Sequence, residues 1–167
     1  MGLRHRQNLE GGCYFITTSV IGFVKVFDDP ECSKIIIDSL NFCQRKFKFH
    51  NNAYVIMPNH IHLILTLNEN TKISNIMRDF KKYTSVAIKR YFAKGNNIAI
   101  YNQLQKHVPS KSNRSFILWQ PRFDDLQIFT EKVFLVKMRY IIYNPVRAGL
   151  VSEPEDWQYL YYESMPD

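Results

Sequence analysis

The sequence is poor in the residues that staple or span. Its three cysteines, Cys13, Cys32 and Cys43, are odd in number and contain no Cys-x-x-Cys pair. That argues against a disulfide framework or a thiolate zinc centre and leaves them as reduced, small core residues of a cytosolic protein. No apolar run approaches the ~18 residues needed to cross a bilayer. The N-terminus also lacks the apolar segment of a secretion signal, so no membrane partner is expected. Acids are nearly missing from the middle of the chain: between Lys72 and Arg122 only Asp79 stands against eleven Lys and Arg. After Arg147 the bases disappear instead, while Glu153, Glu155, Asp156, Glu163 and Asp167 follow.

What is present is a chain of 167 residues, 46% hydrophobic and 14% aromatic, with net charge +7 and no low-complexity tract, hence one domain able to bury its own core. Phe80, Tyr83, Tyr91, Phe92, Tyr101, Phe116, Trp119 and Phe123 are interleaved with the central bases. Cations that meet phosphates and rings that stack on bases make this a nucleic-acid-binding mixture. A merely solvated basic face is the plain alternative.

The organising stretch is residues 53–67, AYVIMPNHIHLILTL, which reads as two antiparallel strands joined at Pro58-Asn59. Side chains alternate across a strand, so His60, His62, Ile64 and Thr66 share one face and Ile61, Leu63, Leu65 and Leu67 the other. Imidazoles at i and i+2 spring from Cα atoms roughly 7 Å apart, close enough for both to reach one divalent ion at about 2.0–2.1 Å. Two half-buried strand histidines without a metal would show the same pattern.

Around this hairpin, Cys13–Val20 is rich in aromatic and β-branched residues and is expected to form a first strand. Asp28-Asp29-Pro30-Glu31 offers a helix cap and a proline for the first turn, followed by Cys32, Ile36, Leu40, Cys43 and Phe47 at helical spacing. Asn70-Thr71 is expected to cap a second helix with the stripe Ile73, Ile76, Met77, Phe80, Ala87, Ile88 and Tyr91; Arg78, Lys82 and Lys89 fall on its other side. Residues 1–12, with Arg4 and Arg6, are expected to be a flexible arm, and 95–115 a long basic loop. Phe116–Trp119 and Asp125–Phe129 are short strand candidates. A last helix over 131–144, capped by Thr130 and stopped by Pro145, carries the polar stripe Val133, Lys137, Tyr140 and Asn144. Tyr140 and Asn144, at i and i+4, point off one side, whereas Tyr143 projects about 100° away from Asn144.

Three motifs together, Met57-Pro-Asn-His-Ile-His-Leu-Ile-Leu65, Trp119-Gln-Pro-Arg-Phe123 and Tyr140-Ile-Ile-Tyr-Asn-Pro-Val-Arg-Ala-Gly-Leu-Val151, resemble the single-tyrosine HUH transposases, most closely the REP-associated tyrosine transposase branch. The resemblance implies an α+β fold, a ferredoxin-like HUH palm with a central antiparallel sheet in the order β-α-β-β-α-β-α. It implies that His60, His62 and Asn144 hold a divalent metal, Mg2+ or Mn2+, and that Tyr140 attacks single-stranded hairpin DNA, with Lys137 as electrostatic support. Arg78, Lys82, Lys89 and Arg122 become the expected DNA contacts. The bacterial cytoplasm is the implied location, no nucleotide cofactor is implied, and a homodimer is left open. The chain departs from the family in one place. Many relatives follow the Trp-Gln motif with an acid and a histidine, where this chain has Asp124-Asp125-Leu126. A domesticated, weakly active or inactive DNA-hairpin-binding protein is therefore the alternative.

Overall fold

The computed structural model describes residues 11–164. Ten elements run β1 (Gly12–Ser19), α1 (Pro30–Phe47), β2 (His50–Met57), β3 (His60–Leu67), α2 (Ile73–Ala93), α3 (Ile98–Gln105), β4 (Asp124–Ile128), α4 (Glu131–Ile142), α5 (Asn144–Arg147) and β5 (Leu160–Tyr162). The strands form one sheet in the order β4-β1-β3-β2-β5, every neighbour antiparallel. Its first four strands have the order of the split βαβ arrangement, as the α+β, ferredoxin-like expectation requires.

The alternation of β3 divides the core in two. Ile61, Leu63, Leu65 and Leu67 pack with the α1 stripe Cys32, Ile36, Leu40 and Cys43 and the α2 stripe Ile73, Ile76, Met77 and Phe80. Burying Ile61, Leu63 and Leu65, each at most 1% exposed, contributes roughly 1.5–3 kcal/mol apiece. On the opposite face Ile64 packs with Phe15, Ala53, Val55 and Met57 beneath Met138, Ile141 and Ile142 of α4. Both faces are therefore covered, α1 and α2 on one side and α4 on the other. The three cysteines are free thiols, and burial pushes Cys32 up to about 12 and Cys43 to about 11, so both stay protonated.

The start of α1 follows the sequence: Asp29 accepts hydrogen bonds from the Glu31 and Cys32 backbone N–H groups, with Pro30 in the first turn. The start of α2 does not. Thr71 donates its hydroxyl to Asn68 Oδ1 (2.6 Å), so it ties the preceding turn together; α2 begins after Lys72 with no side-chain cap.

The expected loop 95–115 contains α3. Asn97, in a left-handed conformation with φ 44°, accepts from the Ile100 N–H, and Leu104 is fully buried while Tyr101 stacks on Phe116. The bases Lys106, Lys111 and Arg114 all follow that helix. Phe116–Trp119 is not a strand of the sheet but makes a single bridge, Val20 to Trp119. The expected final helix is two: α4 ends at Ile142 and Pro145 lies in the first turn of α5, where a missing N–H costs nothing. Of the expected arm 1–12, residues 1–10, with Arg4 and Arg6, lie outside the described residues, and Gly12 already pairs with Leu67 in the sheet.

Candidate active site

The β2–β3 hairpin places the two histidines, and its tip is anchored by backbone bonds. Pro58 C=O accepts from the Phe27 N–H and Asn59 C=O from the Val20 N–H, both at 2.9 Å. His60 and His62 then rise on the α4 face of the sheet with ring centroids 4.8 Å apart. Burial lowers the pKa of His60, and burial, His60 and Lys137 lower that of His62 to about 3, so both rings are neutral at pH 7. Thr17 Oγ1, directly across the β1–β3 ladder, lies 2.7 Å from His62 Nδ1, and Asn59 Oδ1 lies 2.7 Å from His60 Nδ1. His62 Nε2 is buried and has no hydrogen-bond partner.

Helix α4 brings the tyrosine to this pair. Met138 and Ile141 bury its core side and leave Tyr140 beside the sheet, its ring edge-on to His62 at 5.1 Å and to Phe15 at 5.8 Å. Tyr140 keeps 36% of its surface open to solvent. Two cations flank the ring: Lys137 Nζ lies 4.7 Å from the Phe15 centroid and 5.8 Å from that of Tyr140, and Arg147 Cζ lies 5.0 Å from Tyr140. Arg147 Nη2 also donates to the Arg139 and Tyr140 carbonyls at 3.3 Å, capping the last turn of α4.

The structure thus joins His60, His62, Tyr140 and Lys137. Asn144, half-buried, opens α5 just past the break at Tyr143, and its amide makes no hydrogen bond to either histidine. Among the described residues no three His, Cys, Asp or Glu side chains form a metal-holding group. The expected DNA contacts lie across the sheet. Arg78 is engaged by Asp79 and Asn75, Lys89 donates to Ser115, and Arg122 is exposed. Lys82 lines a cleft of about 390 Å³ with Lys81, Arg114, Phe116 and Trp119. Trp119 forms its floor, donating from Nε1 to Thr84 Oγ1, while Lys81 donates to the Gln120 carbonyl.

A family model described as transposase IS200-like matches residues 23–141. The chain belongs to the IS200-like transposase family. A Haemophilus influenzae protein assigned to the REP-associated tyrosine transposases is 28% identical over 159 residues, covering 92% of this chain and 81% of that one. The REP-associated tyrosine transposase of Escherichia coli K12 is 29% identical over 117 residues, 70% of this chain and 56% of the relative. A solved structure of a REP-associated tyrosine transposase bound to a REP hairpin matches with TM-score 0.72 at 25% identity, over 96% of this chain and 82% of that one.

In this IS200-like transposase two site neighbours are not singled out by the sequence. Phe15 reaches His62 and Tyr140 only through the register of β1, and Arg147, although it lies within the third motif, is given no role by the sequence and is brought over the Tyr140 ring by α5. Among the described residues no helix is long and apolar enough to cross a membrane.

Proposed function

We propose that this transposase cleaves and rejoins single-stranded hairpin DNA with Tyr140 as nucleophile, His60, His62 and Asn144 as holders of Mg2+ or Mn2+, and a 5′-phosphotyrosine intermediate. The observation that carries the reading is the edge-on approach of the Tyr140 ring to His62, at the one place where, among the described residues, two imidazole rings pack against each other. The residues fit a divalent ion: both imidazoles are neutral, and a buried His62 Nε2 without a partner leaves one ligand position open. Imidazoles favour manganese over magnesium, while an amide oxygen suits either. A bound divalent ion supplies Lewis-acid polarisation of the scissile phosphate.

Tyr140 Oη attacks phosphorus; the P–Oη bond forms as the P–O3′ bond breaks, and the departing 3′ oxygen takes up a proton. One phosphodiester replaces another, so the 3′-hydroxyl can reverse the step and rejoin strands without external energy. A phenol ordinarily titrates near 10, so the attack needs the proton removed at the site; Lys137 and Arg147 place positive charge beside the ring where the phenolate develops. Helix α2 and the cleft lined by Lys82 and Arg114 offer the cations that grip the backbone of the same DNA. Such a substrate places the protein in the bacterial cytoplasm.

One observation favours a second reading, a hairpin-binding protein that no longer cuts. Asp124-Asp125-Leu126 opens β4 with no histidine where many relatives carry an acid and a histidine, and Asp125 there pairs with Ile16. Incubation with single-stranded hairpins from the flanks of its own gene and manganese or magnesium separates the two. The transposase reading expects a covalent DNA–Tyr140 adduct by mass spectrometry, abolished by chelator, by His60→Ala and by Tyr140→Phe. Tight binding with no adduct under either ion rejects it.

A further inference from the structure

Both histidines are held at Nδ1, and the two holders differ in what they permit. Asn59 donates from Nδ2 to the Phe23 carbonyl at 3.3 Å, which turns its Oδ1 toward His60 Nδ1 at 2.7 Å. An amide oxygen only accepts, so His60 carries its proton on Nδ1 and a lone pair on Nε2. Thr17 Oγ1 stands 2.7 Å from His62 Nδ1, and a hydroxyl can donate or accept, so that bond alone leaves the tautomer open. Nε2 decides it. The atom is buried in a side chain that is 4% exposed and meets no acceptor, so a proton there would be an orphaned donor, whereas a lone pair there can be completed by a cation.

Resting on the metal reading above, we propose that Thr17 and Asn59 are positioning residues for a divalent cation, fixing His62 and His60 in the Nδ1–H tautomer that leaves each Nε2 unprotonated and ready to ligate. Each holder is placed by the fold rather than by its own flexibility. Thr17 is the β1 partner of His62 in the ladder, and its branched side chain has few rotamers. Asn59 sits in the hairpin turn, whose carbonyls are tied to Val20 and Phe27. Partners of this kind orient ligating imidazoles and raise their basicity, and their loss typically costs 10–100-fold in metal affinity.

The test uses the full chain without DNA at pH 7.5, with two readouts. Long-range 1H–15N correlation on the metal-free protein reports the tautomer of each ring, and manganese titration followed by electron paramagnetic resonance reports affinity. Wild type is expected to show Nδ1–H, Nε2-unprotonated rings at both positions. Thr17→Val, which keeps the volume and branching of the side chain, is expected to weaken manganese binding about 10–100-fold and to mix the His62 tautomers while leaving His60 unchanged; Thr17→Ser restores both. Asn59→Ala is expected to do the converse, mixing His60 alone. Thr17→Val binding manganese as tightly as wild type, or a wild-type His62 protonated on Nε2, overturns the proposal. Wild type with both rings Nδ1–H that takes up no manganese overturns the metal reading itself, and with it the purpose assigned to the pair.

Discussion

Stability should fall in mildly acidic solution because of His62, and the size of the fall follows from its burial. In the unfolded chain the imidazole titrates near 6.5; in the fold, desolvation, His60 and Lys137 hold it down to about 3. Between those values the unfolded state binds a proton that the native state refuses, so stability declines as pH drops below 6.5 and the decline levels off beneath the folded value. At pH 5.0 the protein is about 1.5 pH units below the unfolded value, which at about 1.36 kcal/mol per unit is a loss of about 2 kcal/mol. His62→Leu removes the titrating group and keeps an apolar side chain in the site. His60 titrates in both proteins, and the lowering that burial imposes on it is common to the two. Urea unfolding with chelator at pH 7.5 and 5.0 should therefore show wild type losing about 2 kcal/mol more than His62→Leu, or about 4–8 °C of melting temperature. Parallel losses in the two proteins would show that His62 is not held neutral by burial, and would remove the argument that its Nε2 offers a lone pair.

The buried Asp29 carboxylate accepts from the Glu31 and Cys32 backbone, from Tyr91 Oη at 3.1 Å and from Asn97 Nδ2 at 2.9 Å, joining the start of α1 to the end of α2 and the cap of α3. Asp29→Ala should cost about 2–3 kcal/mol, about 1 for the cap and about 1 for each stranded partner, in equilibrium denaturation. Lys82 and Arg114 are exposed in the cleft beside Trp119, so Lys82→Gln with Arg114→Gln should leave melting unchanged. The same pair should flatten the salt dependence of hairpin binding by about 0.7 per cation in a log–log plot, read by fluorescence anisotropy across salt concentrations. An unchanged slope would place the DNA elsewhere.

The central hairpin is legible in the sequence because a period of two cannot be confused with a helix over eight residues, and that same alternation puts His60 and His62 on one face. The first strand, α1 and the apolar face of α2 are legible for similar reasons. What escapes is held by contacts distant in sequence. α3 is only eight residues long and exists because Leu104 finds the core and Asn97 finds Asp29, 68 positions away. β5 is three residues that pair with Ala53, Tyr54 and Val55. Thr71 looks like a cap and is used instead by Asn68. In the site, the histidine spacing is local and readable, whereas the Thr17–His62 bond spans 45 residues and depends on a register that no motif announces.

That register gives β3 something like a reading frame. Even positions carry the imidazoles and odd positions the leucines and isoleucine of the larger core, with Thr17 facing His62 and Leu63 facing Ile16. A deletion or insertion of one residue between His60 and Ile64 would turn the strand over, driving imidazoles under α1 and α2 and aliphatic side chains toward Tyr140. Chemistry and folding would fail together. A change of two residues keeps the faces and moves the histidines one step along the ladder, so length variation in this strand is tolerable to the core only in pairs.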